Sequence, residues 1–464
     1  MNELNEIKEE IFREYDIRGI VETELQDDVV DRISSAFATI FVNAGKQKIV
    51  VGMDGRPSSQ RLKDIMVQSL SRYGLDVLDI GLVPTPVMYY AVFKRNLDGG
   101  VMITASHNPG EYNGFKGLVG KEAQSGSQVK EIYQIAVGGK FPPEKQGSVV
   151  TEDILQEYMD YICTNIHLQK KIKVVVDAGN GTGGITAPTL YRNLGAEVTA
   201  LFCDVDGMFP NHHPDPTKEE NLKDLIAKVK EMDADIGIGL DGDADRIGVV
   251  DKMGTILWGD QMTVLFARDI LAKNPGAKII SEVKASEVLY SEIAKHGGVP
   301  IMWKTGHSLI KKKIVEENAA MAGEMSGHIF FNDRWFGFDD AVYAGARLME
   351  ILAASPLSLT EMIASIPKAY NTPEIRVDTT EEAKFEIVEA LLKYYQKSYK
   401  VIAIDGARVK FPFGWGLVRA SNTQPSLVVR FEADSPAHLQ EIRDMVEPVI
   451  EETRKEIEAK HQKR

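Results

Sequence analysis

Cysteine is nearly absent from this sequence, since only Cys163 and Cys203 occur among 464 residues. Two cysteines in so long a chain exclude a disulfide framework and favour a reducing compartment. No run of about 18 apolar residues occurs, and the first residues lack the apolar core of a secretory signal. We therefore expect a cytoplasmic protein that neither spans a membrane nor is secreted by that route.

Basic residues are in deficit, with 54 Lys and Arg against 68 Asp and Glu and a net charge of −14. Such a surface repels nucleic acid and anionic membrane, so we expect neither as a partner. It also repels a phosphorylated small molecule, and any anion site must therefore concentrate Lys, Arg and helix N-termini locally. The oligomeric state stays open between a monomer and a small homo-oligomer.

What the chain does have is a repeated pattern of strand and helix. Apolar, β-branched runs that end in Gly and Asp begin near residues 45, 170 and 275. Helices are predicted after them at 59–73, 185–194 and 286–296. Strands that alternate with helices indicate α/β layers with mixed sheets, and we expect one domain plan used three times.

The last part of the chain has a different pattern. A predicted helix at 381–396 precedes short strands at 401–404, 407–411, 416–420 and 427–432, and a final helix begins near Pro436. This order is typical of a smaller α+β domain. With links at 141–147, near Gly254 and around Pro367, we expect domains at 1–150, 151–253, 254–366 and 367–464.

Residues 100–109 form the most informative segment. An apolar run stops abruptly at Ser106, His107, Asn108 and Pro109, so a strand ends in a tight polar turn with the serine at its tip. A serine hydroxyl becomes a nucleophile when a neighbouring group lowers the cost of its alkoxide, and His107 and Lys116 can do so. An isolated segment of this kind is more often a turn whose side chains bond its own backbone, so other parts of the sequence must decide.

Three aspartates, Asp241, Asp243 and Asp245, follow an apolar run and alternate with small residues. A tight loop can turn all three carboxylates inward, and the mutual repulsion in this aspartate cage is costly unless a cation lies within it. An EF-hand calcium loop is excluded, because Arg246 stands where that loop needs glycine and Lys252 where it needs glutamate. A solvated acidic turn fits poorly between apolar runs, so we expect a metal site.

The aspartate cage and Ser106 fit together as parts of one site. Three acidic ligands leave coordination positions that a hard ion such as Mg²⁺ commonly fills with phosphate oxygens. A phosphate on Ser106 would complete the metal shell, and the ion and Arg246 would withdraw charge as that phosphate departs.

These two segments, together with 12–19 and 421–423, resemble the α-D-phosphohexomutase superfamily, specifically its bacterial phosphomannomutase/phosphoglucomutase branch. The resemblance covers nearly the whole chain and rests on four motifs in the family's order. It implies four domains around one cleft, Ser106 as the phosphoserine, and one Mg²⁺ held by Ser106 and the aspartate cage. It also implies reversible interconversion of hexose 1-phosphate and hexose 6-phosphate, of mannose, glucose or both, through a hexose 1,6-bisphosphate intermediate.

Two further loops fit that resemblance. Glu324, Ser326 and His328 offer a carboxylate, a hydroxyl and an imidazole on one short loop, which in the family binds the sugar. A turn beginning at Arg419 offers the donors that a phosphate dianion needs, although alone it fits a polar hairpin turn equally well. The residues expected to bind the non-reacting phosphate are Arg419, Ser421, Asn422, Thr423, Lys284 and Tyr15.

Several residues are candidates for handling charge and protons at the reacting oxygen. His307 stands at a predicted helix entrance and could donate a proton, although a structural histidine fits that position equally well. Tyr15 and Arg56 are expected as supports. The full catalytic set that the resemblance implies is Ser106, Lys116, Arg18, His307 and Arg246.

Three alternatives stay open. A serine-phosphoenzyme sugar phosphatase would use the same serine and metal but admit water, and would need neither the sugar loop nor the turn at Arg419. A non-catalytic sugar-phosphate binding protein would have no use for the aspartate cage. A phosphoglucosamine mutase would usually carry different sugar and phosphate loops. Mannose and glucose differ only at C2, whereas the expected contacts read hydroxyls that they share, so we expect activity on both.

Overall fold

The structure is a computed structural model that describes residues 5–421 and 424–461. These residues form four β-sheets in chain order, the first three mixed and the fourth antiparallel. Short 3₁₀ segments lie at Glu9–Ile11, Thr182–Ile185 and Glu219–Leu222. Within the described residues, no helix combines the length and the apolar character that a bilayer crossing requires.

The first sheet has a hydrophobic core on each face. Its helices are α1 Val21–Glu24, α2 Asp27–Asn43, α3 Ser59–Arg72, α4 Thr85–Lys94 and α5 Ser127–Gly138. Its strands are β1 Ile17–Ile20, β2 Lys48–Met53, β3 Asp76–Leu82, β4 Gly99–Ile103, β5 Tyr112–Val119, β6 Glu122–Ala123 and β7 Val149–Thr151. Because side chains alternate along a strand, Ile49 and Val51 of β2 join the core with α2 and α3, while Val50 joins the core with α4.

The second sheet repeats this arrangement. Its strands are β8 Lys173–Asp177, β9 Glu197–Leu201, β10 Ile236–Leu240, β11 Ile247–Asp251 and β12 Ile256–Leu257, with helices α6 Leu155–Cys163, α7 Ala187–Asn193 and α8 Lys223–Glu231. Helix α8 packs so closely on β10 that a Cβ at Gly237 would lie 2.6 Å from a methyl group of Val229. Helix α7 is shorter than the predicted 185–194 because a 3₁₀ turn precedes it, and Pro188 fits its first turn.

The third sheet is smaller and lies between many helices. Its strands are β13 Lys278–Glu282, β14 Val299–Trp303, β15 Met321–Gly323 and β16 Ile329–Phe331. Its helices are α9 Gly259–Lys273, α10 Glu287–Lys295, α11 His307–Glu317, α12 Ala341–Ala354 and α13 Leu359–Ala364. Buried residues of α9 and α12 share one continuous core with the second sheet and with α4.

The fourth sheet is antiparallel throughout and confirms the expected α+β pattern. Its strands are β17 Tyr370–Asn371, β18 Ile375–Asp378, β19 Lys400–Ile402, β20 Ala407–Phe411, β21 Gly414–Ala420 and β22 Ser426–Ala433, with helices α14 Ala383–Tyr395 and α15 Pro436–His461. Ile387 of α14 and Ile442 of α15 join Val418 and Val429 of the sheet in one core. The expected fold class, three similar α/β units and a smaller α+β unit, is therefore confirmed.

The first three sheets share one topology. Their strand orders contain β5-β4-β2-β3, β11-β10-β8-β9 and β16-β15-β13-β14. In each, the last parallel strand turns back into an antiparallel neighbour through a polar loop. These loops, at residues 104–111, 241–246 and 324–328, occupy the same topological position and carry Ser106, the aspartate cage and Glu324 respectively. A repeated topology therefore explains why three distant motifs all emerge at strand ends.

Candidate functional site

A single cavity of about 960 Å³ lies where the four sheets meet. Residues associated with every sheet line it, represented by Ser106, Arg246 and Glu324 on loops and by Arg419 near the end of β21. Both ionised acids and cations face this space. The cavity is large enough to hold a sugar with a phosphate at each end.

Ser106 lies directly beside the aspartate cage. Its Oγ donates a hydrogen bond to Asp241 Oδ2 at 2.8 Å across 135 residues of sequence. The loops are in close contact, because a Cβ at Gly242 would lie 2.4 Å from the Ser106 carbonyl oxygen. Ser106 itself has a φ of 52°, in the left-handed region that costs a non-glycine residue about 1–2 kcal/mol. The expected proximity of the serine to the three acids is therefore found.

The aspartate cage is fully buried and fits a divalent cation. Each of its three residues is 0% exposed, and oxygens from all three lie within 4.8 Å of one another. Asp241 Oδ1 accepts hydrogen bonds from the backbone N–H groups of Asp245 and Arg246, each at 3.0 Å. Within the described residues, Asp243 Oδ1 is buried and accepts no hydrogen bond, and the buried Asp245 Oδ1 has a single long contact, with His328 Nε2 at 3.4 Å. Buried, unpaired carboxylate oxygens are the ligands that a hard cation needs.

Lys116 balances part of the charge in the cage. Its Nζ lies 2.7 Å from Asp243 Oδ2 and 2.6 Å from Asp245 Oδ2. Burial disfavours the ammonium, but these two carboxylates outweigh burial and raise the pKa of Lys116. Burial and the neighbouring carboxylates raise the pKa of Asp241, whereas Lys116 and His328 outweigh burial and lower the pKa of Asp245.

Arg18, on β1, and His107, next to Ser106 on the loop after β4, flank the serine. Arg18 Nη1 donates to Asn108 Oδ1 at 2.8 Å and to the Ala105 carbonyl oxygen at 3.3 Å, and its guanidinium pairs with Asp16. His107 Nδ1 lies 3.1 Å from Ser106 Oγ. Burial and the charge of Arg246 hold the pKa of His107 well below its usual range, so its ring is neutral beside the hydroxyl.

The loop at 324–328 reaches the aspartate cage. His328 Nε2 lies 3.4 Å from Asp245 Oδ1, and its Nδ1 lies 2.9 Å from Ser326 Oγ. Burial opposes the imidazolium, but Asp245 outweighs it and raises the pKa of His328 to about 9. Arg246 Nε lies 3.3 Å from His328 Nε2. When the His328 ring is protonated, this nitrogen donates to Asp245, so it cannot also accept a hydrogen bond from Arg246. Glu324 Oε1 accepts the Gly306 N–H at 2.8 Å.

His307 belongs to a second, buried charge group that the sequence did not reveal. Asp339 Oδ2 lies 3.4 Å from His307 Nδ1, and Asp339 Oδ1 accepts from Lys311 Nζ at 2.8 Å. Burial and Lys311 lower the pKa of His307. The His307 ring stacks on His328 with centroids 5.3 Å apart, which joins this group to the cage. Lys311 stands in a run of three lysines, a pattern typical of a solvated helix face, but its Nζ points inward to Asp339.

Another part of the cavity pairs its cations with acids of the fourth unit. Lys284 Nζ lies 3.2 Å from Glu374 Oε2, and Arg419 Nε donates to Asp405 Oδ2 at 3.0 Å. Arg419 Nη2 is buried and has no hydrogen-bond partner within residues 5–421 and 424–461. Ser421 lines the cavity, whereas Asn422 and Thr423 lie outside the described residues. The structure thus brings Arg419, Ser421 and Lys284 to one end of the cavity.

Tyr15 reaches this cavity from the first unit. Its hydroxyl donates to the Thr305 carbonyl oxygen at 2.8 Å, and its ring packs edge-on against His307 at 5.7 Å. Asp405 also accepts the Thr305 N–H at 3.1 Å. Glu374, Asp405 and Asp339 carry no spacing pattern that sequence reasoning could have found, and their positions follow from tertiary contacts alone.

Sequence and structure comparisons relate the whole chain to one family. Family models described as phosphoglucomutase/phosphomannomutase, alpha/beta/alpha domains I, II and III, match residues 9–142, 156–254 and 258–370. The model of the family's C-terminal domain matches residues 374–449.

Relatives match over nearly their full length. A phosphomannomutase/phosphoglucomutase of Pseudomonas putida is 48% identical over 440 residues, covering 95% of each chain. A phosphoglucomutase of Neisseria gonorrhoeae is 47% identical over 449 residues, covering 96% of this chain and 97% of that one. The crystal structure of a phosphoglucomutase/phosphomannomutase family protein from Burkholderia thailandensis superposes with a TM-score of 0.92 at 42% identity, covering 97% of this chain and 98% of that one.

Proposed function

This chain belongs to the phosphoglucomutase/phosphomannomutase family, and from that membership we propose that its cavity moves a phosphoryl group between O1 and O6 of a hexose by way of Ser106. The protein is an enzyme that interconverts hexose 1-phosphates and hexose 6-phosphates. The observation that carries the proposed route is the 2.8 Å contact between Ser106 Oγ and Asp241. A nucleophilic serine and a metal cage are useful to each other only at such a distance.

The first half-reaction transfers the phosphoryl group from Ser106 to the sugar. The bond between phosphorus and Ser106 Oγ breaks as a bond to the free hydroxyl oxygen of the substrate forms; that hydroxyl gives up one proton and Ser106 Oγ takes up one, so Ser106 ends as its alcohol. Asp241, Asp243 and Asp245, with the phosphate on Ser106, would hold Mg²⁺. When bound, this ion supplies charge neutralisation for the transferring phosphoryl group.

The second half-reaction returns a phosphoryl group to Ser106 from the other end of the hexose 1,6-bisphosphate. The bisphosphate must turn end for end, so both phosphates have to fit both ends of the cavity. Arg419 and Lys284 line the same cavity as Ser106, pair with Asp405 and Glu374 and not with the aspartate cage, and offer the charges that a phosphate needs. We propose that the distal phosphate is held by Arg419, Ser421, Asn422, Thr423, Lys284 and Tyr15.

Charge and protons at the reacting oxygen are assigned to the residues around Ser106. Lys116 and Arg18 lie beside the cage and the loop and would balance the charge that develops on the alkoxide. Arg246 lines the cavity beside His328. His307 is a candidate proton carrier because its lowered pKa leaves a neutral ring able to accept a proton.

The sugar is assigned to the loop at 324–328. Glu324 and Ser326 line the cavity between its two ends, and His328 connects them to the cage. An ionised acceptor and a hydroxyl can bind adjacent sugar hydroxyls. We propose that these contacts read hydroxyls common to glucose and mannose, so that both sugars are substrates.

We also propose the four-unit division at 1–150, 151–253, 254–366 and 367–464. One sheet belongs to each unit, which supports this division. Strand β7 crosses the boundary between the first and second units, and β12 pairs with β11 across the boundary between the second and third. The first and second sheets therefore extend slightly beyond their own units.

Peptide mass spectrometry tests the proposed route. After incubation with glucose 1,6-bisphosphate and Mg²⁺, we expect a phosphate on the tryptic peptide that carries Ser106, and none in Ser106→Ala. We also expect Ser106→Ala to lose mutase activity by on the order of 10⁶-fold, the scale for loss of a nucleophilic serine elsewhere. Repeated absence of the phosphate from an active wild type would contradict the proposal. Steady release of inorganic phosphate without isomerisation would favour a phosphatase, and a preference for glucosamine phosphates would favour a phosphoglucosamine mutase.

A further inference from the structure

Arg56 holds the loop that carries Ser106 from behind. It follows β2 and is buried, with 0% of its side chain exposed. Nη2 donates to the carbonyl oxygens of Ser106 at 2.9 Å and Asn108 at 2.6 Å. Nη1 donates to the carbonyl oxygens of Pro109 at 2.5 Å and Tyr112 at 3.0 Å. Four backbone carbonyls of one short segment therefore converge on a single guanidinium.

The fifth donor of Arg56 fixes the guanidinium itself. Nε donates to Asp54 Oδ2 at 3.0 Å, so all five N–H groups of the side chain are used. Asp54 is held in turn by Ser59 Oγ at 2.5 Å and by the Arg56 N–H at 3.1 Å. The base of this arrangement therefore lies at the end of a central strand and the start of α3, both rigid elements of the fold.

The second unit closes over the same guanidinium. The ring of Phe209 lies 5.2 Å from Arg56 Cζ, within the range of a cation–π contact. A Cβ at Gly207 would lie 2.3 Å from the Arg56 Cα, so the loop of the second unit packs on the Arg56 backbone as well. Arg56 thus lies between the Ser106 loop and the unit that supplies the aspartate cage.

The Ser106 loop needs such a support for two reasons. The carbonyl oxygens of Ser106 and Asn108 lie between the end of β4 and the start of β5, outside the backbone ladder of the sheet. Ser106 also has the left-handed φ of 52°, a conformation that persists only when surrounding contacts impose it. A planar fork of five donors meets both needs, and the compact ammonium of lysine does not.

We propose that Arg56 is a positioning residue for both phosphoryl transfers, and that it acts by holding the backbone at 106–112 so that Ser106 Oγ faces the aspartate cage. This inference rests on the proposed role of Ser106. Among the described residues that line the cavity, Arg56 does not occur, so it touches neither substrate nor reacting atoms. Its substitution should therefore change the rate of transfer and leave substrate binding nearly intact.

The test compares Arg56→Lys with Arg347→Lys. Arg347 is also buried, donates to both oxygens of Asp333 at 2.9 Å and lies over the ring of Phe331, remote from the Ser106 loop. We expect both variants to lower Tm. Only Arg56→Lys should lower kcat, by about 100-fold, the cost of misplacing a reacting group by roughly 1 Å. Its KM for glucose 1-phosphate should change less than about twofold.

A single-turnover measurement separates positioning from general destabilisation. Phosphoenzyme is mixed with glucose 1-phosphate well below the Tm of each variant, and loss of phosphate from Ser106 is followed. Slow transfer in Arg56→Lys and normal transfer in Arg347→Lys support the inference. A kcat within about twofold of wild type in Arg56→Lys, or equal losses in both variants, overturns it.

A second variant covers the case in which Arg56→Lys does not fold. Phe209→Leu removes the ring beside the guanidinium while keeping a side chain of similar volume, and we expect kcat to fall about two- to fivefold with KM unchanged. An unchanged kcat in this variant overturns the inference. If wild-type Ser106 carries no phosphate, the proposed function and the inference fall together, whereas a phosphorylated wild type with an unaffected Arg56→Lys removes the inference alone.

Discussion

The two ends of the cavity differ in burial and in how their charged side chains are paired. The reactive end consists of Ser106, Lys116 and the aspartate cage, and the recognition end consists of Lys284, Arg419, Glu374 and Asp405. At the reactive end every residue is at most 4% exposed, and one ammonium, that of Lys116, lies at hydrogen-bonding distance from two of the three carboxylates, those of Asp243 and Asp245. At the recognition end, each cation already has an acid beside it, and Glu374 and Asp405 remain 28% and 17% exposed.

The two ends differ in what compensates their charged side chains. The reactive end carries an excess of buried negative charge that a cation must compensate, because unpaired buried charges are costly. The recognition end is balanced without any ligand, and an arriving phosphate must compete with carboxylates for Lys284 and Arg419. Substitutions at the reactive end should therefore abolish the chemistry, whereas those at the recognition end should change substrate affinity.

The largest expected effect is at the cage. Asp243→Asn should lower kcat by on the order of 10³-fold, since charge stabilisation by a bound metal is worth several kcal/mol. It should also reduce the rise in Tm that Mg²⁺ produces in the wild type. Activity assays and thermal unfolding with and without Mg²⁺ measure both effects.

Asp233→Asn is the matched control for the cage, because Asp233 is exposed in the turn before β10 and has a φ of 46° that asparagine tolerates. It should leave kcat and the Mg²⁺ effect unchanged. If Asp243→Asn keeps the kcat of the wild type at the same Mg²⁺ concentration, the proposed difference between the two ends of the cavity is wrong.

A smaller effect is expected at the recognition end. Arg419→Ala should lower kcat/KM by about 10- to 100-fold, which corresponds to the loss of charge-assisted hydrogen bonds worth about 1.5–3 kcal/mol. Most of this loss should appear in KM, because Arg419 holds the phosphate that does not react. Steady-state kinetics with glucose 1-phosphate and mannose 1-phosphate measure the split. An unchanged KM with a kcat loss equal to that of Asp243→Asn would mean that the two ends do not differ in role.

The sequence allowed the reactive end to be predicted because its residues belong to motifs. Ser106 and the aspartate cage each follow an apolar strand, and the repeated topology of the first two sheets brings both strand ends to one edge. Most elements of the fourth unit were equally readable, and the strand expected at 407–411 was found at Ala407–Phe411, but the short strands β17 and β18 were not predicted. Local pattern and tertiary fold agree in these regions.

The acids of the recognition end could not be predicted. Glu374 and Asp405 are single acidic residues; the docking of the fourth unit on the third places Glu374 beside Lys284, and the folding of the fourth unit itself places Asp405 beside Arg419. Asp339 is similar, since nothing in its local sequence indicates that it faces His307 and Lys311. A pairwise charge contact between residues distant in sequence leaves no periodicity in the chain.

Removal of one acid should raise affinity at the recognition end. Glu374→Gln takes away the carboxylate that competes with a substrate phosphate for Lys284, so we expect KM to fall about two- to fivefold, equivalent to no more than ~1 kcal/mol. Glu389→Gln is the control, because Glu389 pairs with Lys393 on the exposed face of α14. A rise in KM would show that Glu374 helps to bind the substrate.

The smallest expected effect concerns the loop that presses Phe209 onto Arg56. His212, on that loop, places Nε2 3.1 Å from Asp177 Oδ2 and Nδ1 3.0 Å from the His213 carbonyl oxygen. Burial lowers the pKa of His212, but the hydrogen bond to Asp177 outweighs burial and raises it above the usual value. Both ring nitrogens face acceptors, so only the imidazolium can donate to both.

The contribution of His212 to stability should therefore depend on pH. A histidine with a raised folded-state pKa stabilises the fold fully below its unfolded pKa of about 6.5, and loses that contribution as the pH rises through the folded pKa. Urea unfolding should show that His212→Gln costs more at pH 6 than at pH 8.5, by about 1 kcal/mol or less. In an Asp177→Asn background this pH dependence should vanish, because the charge that favours the imidazolium is gone. A cost for His212→Gln that grows with pH would reverse the sign of the argument and would show that the neutral ring supports the reactive end.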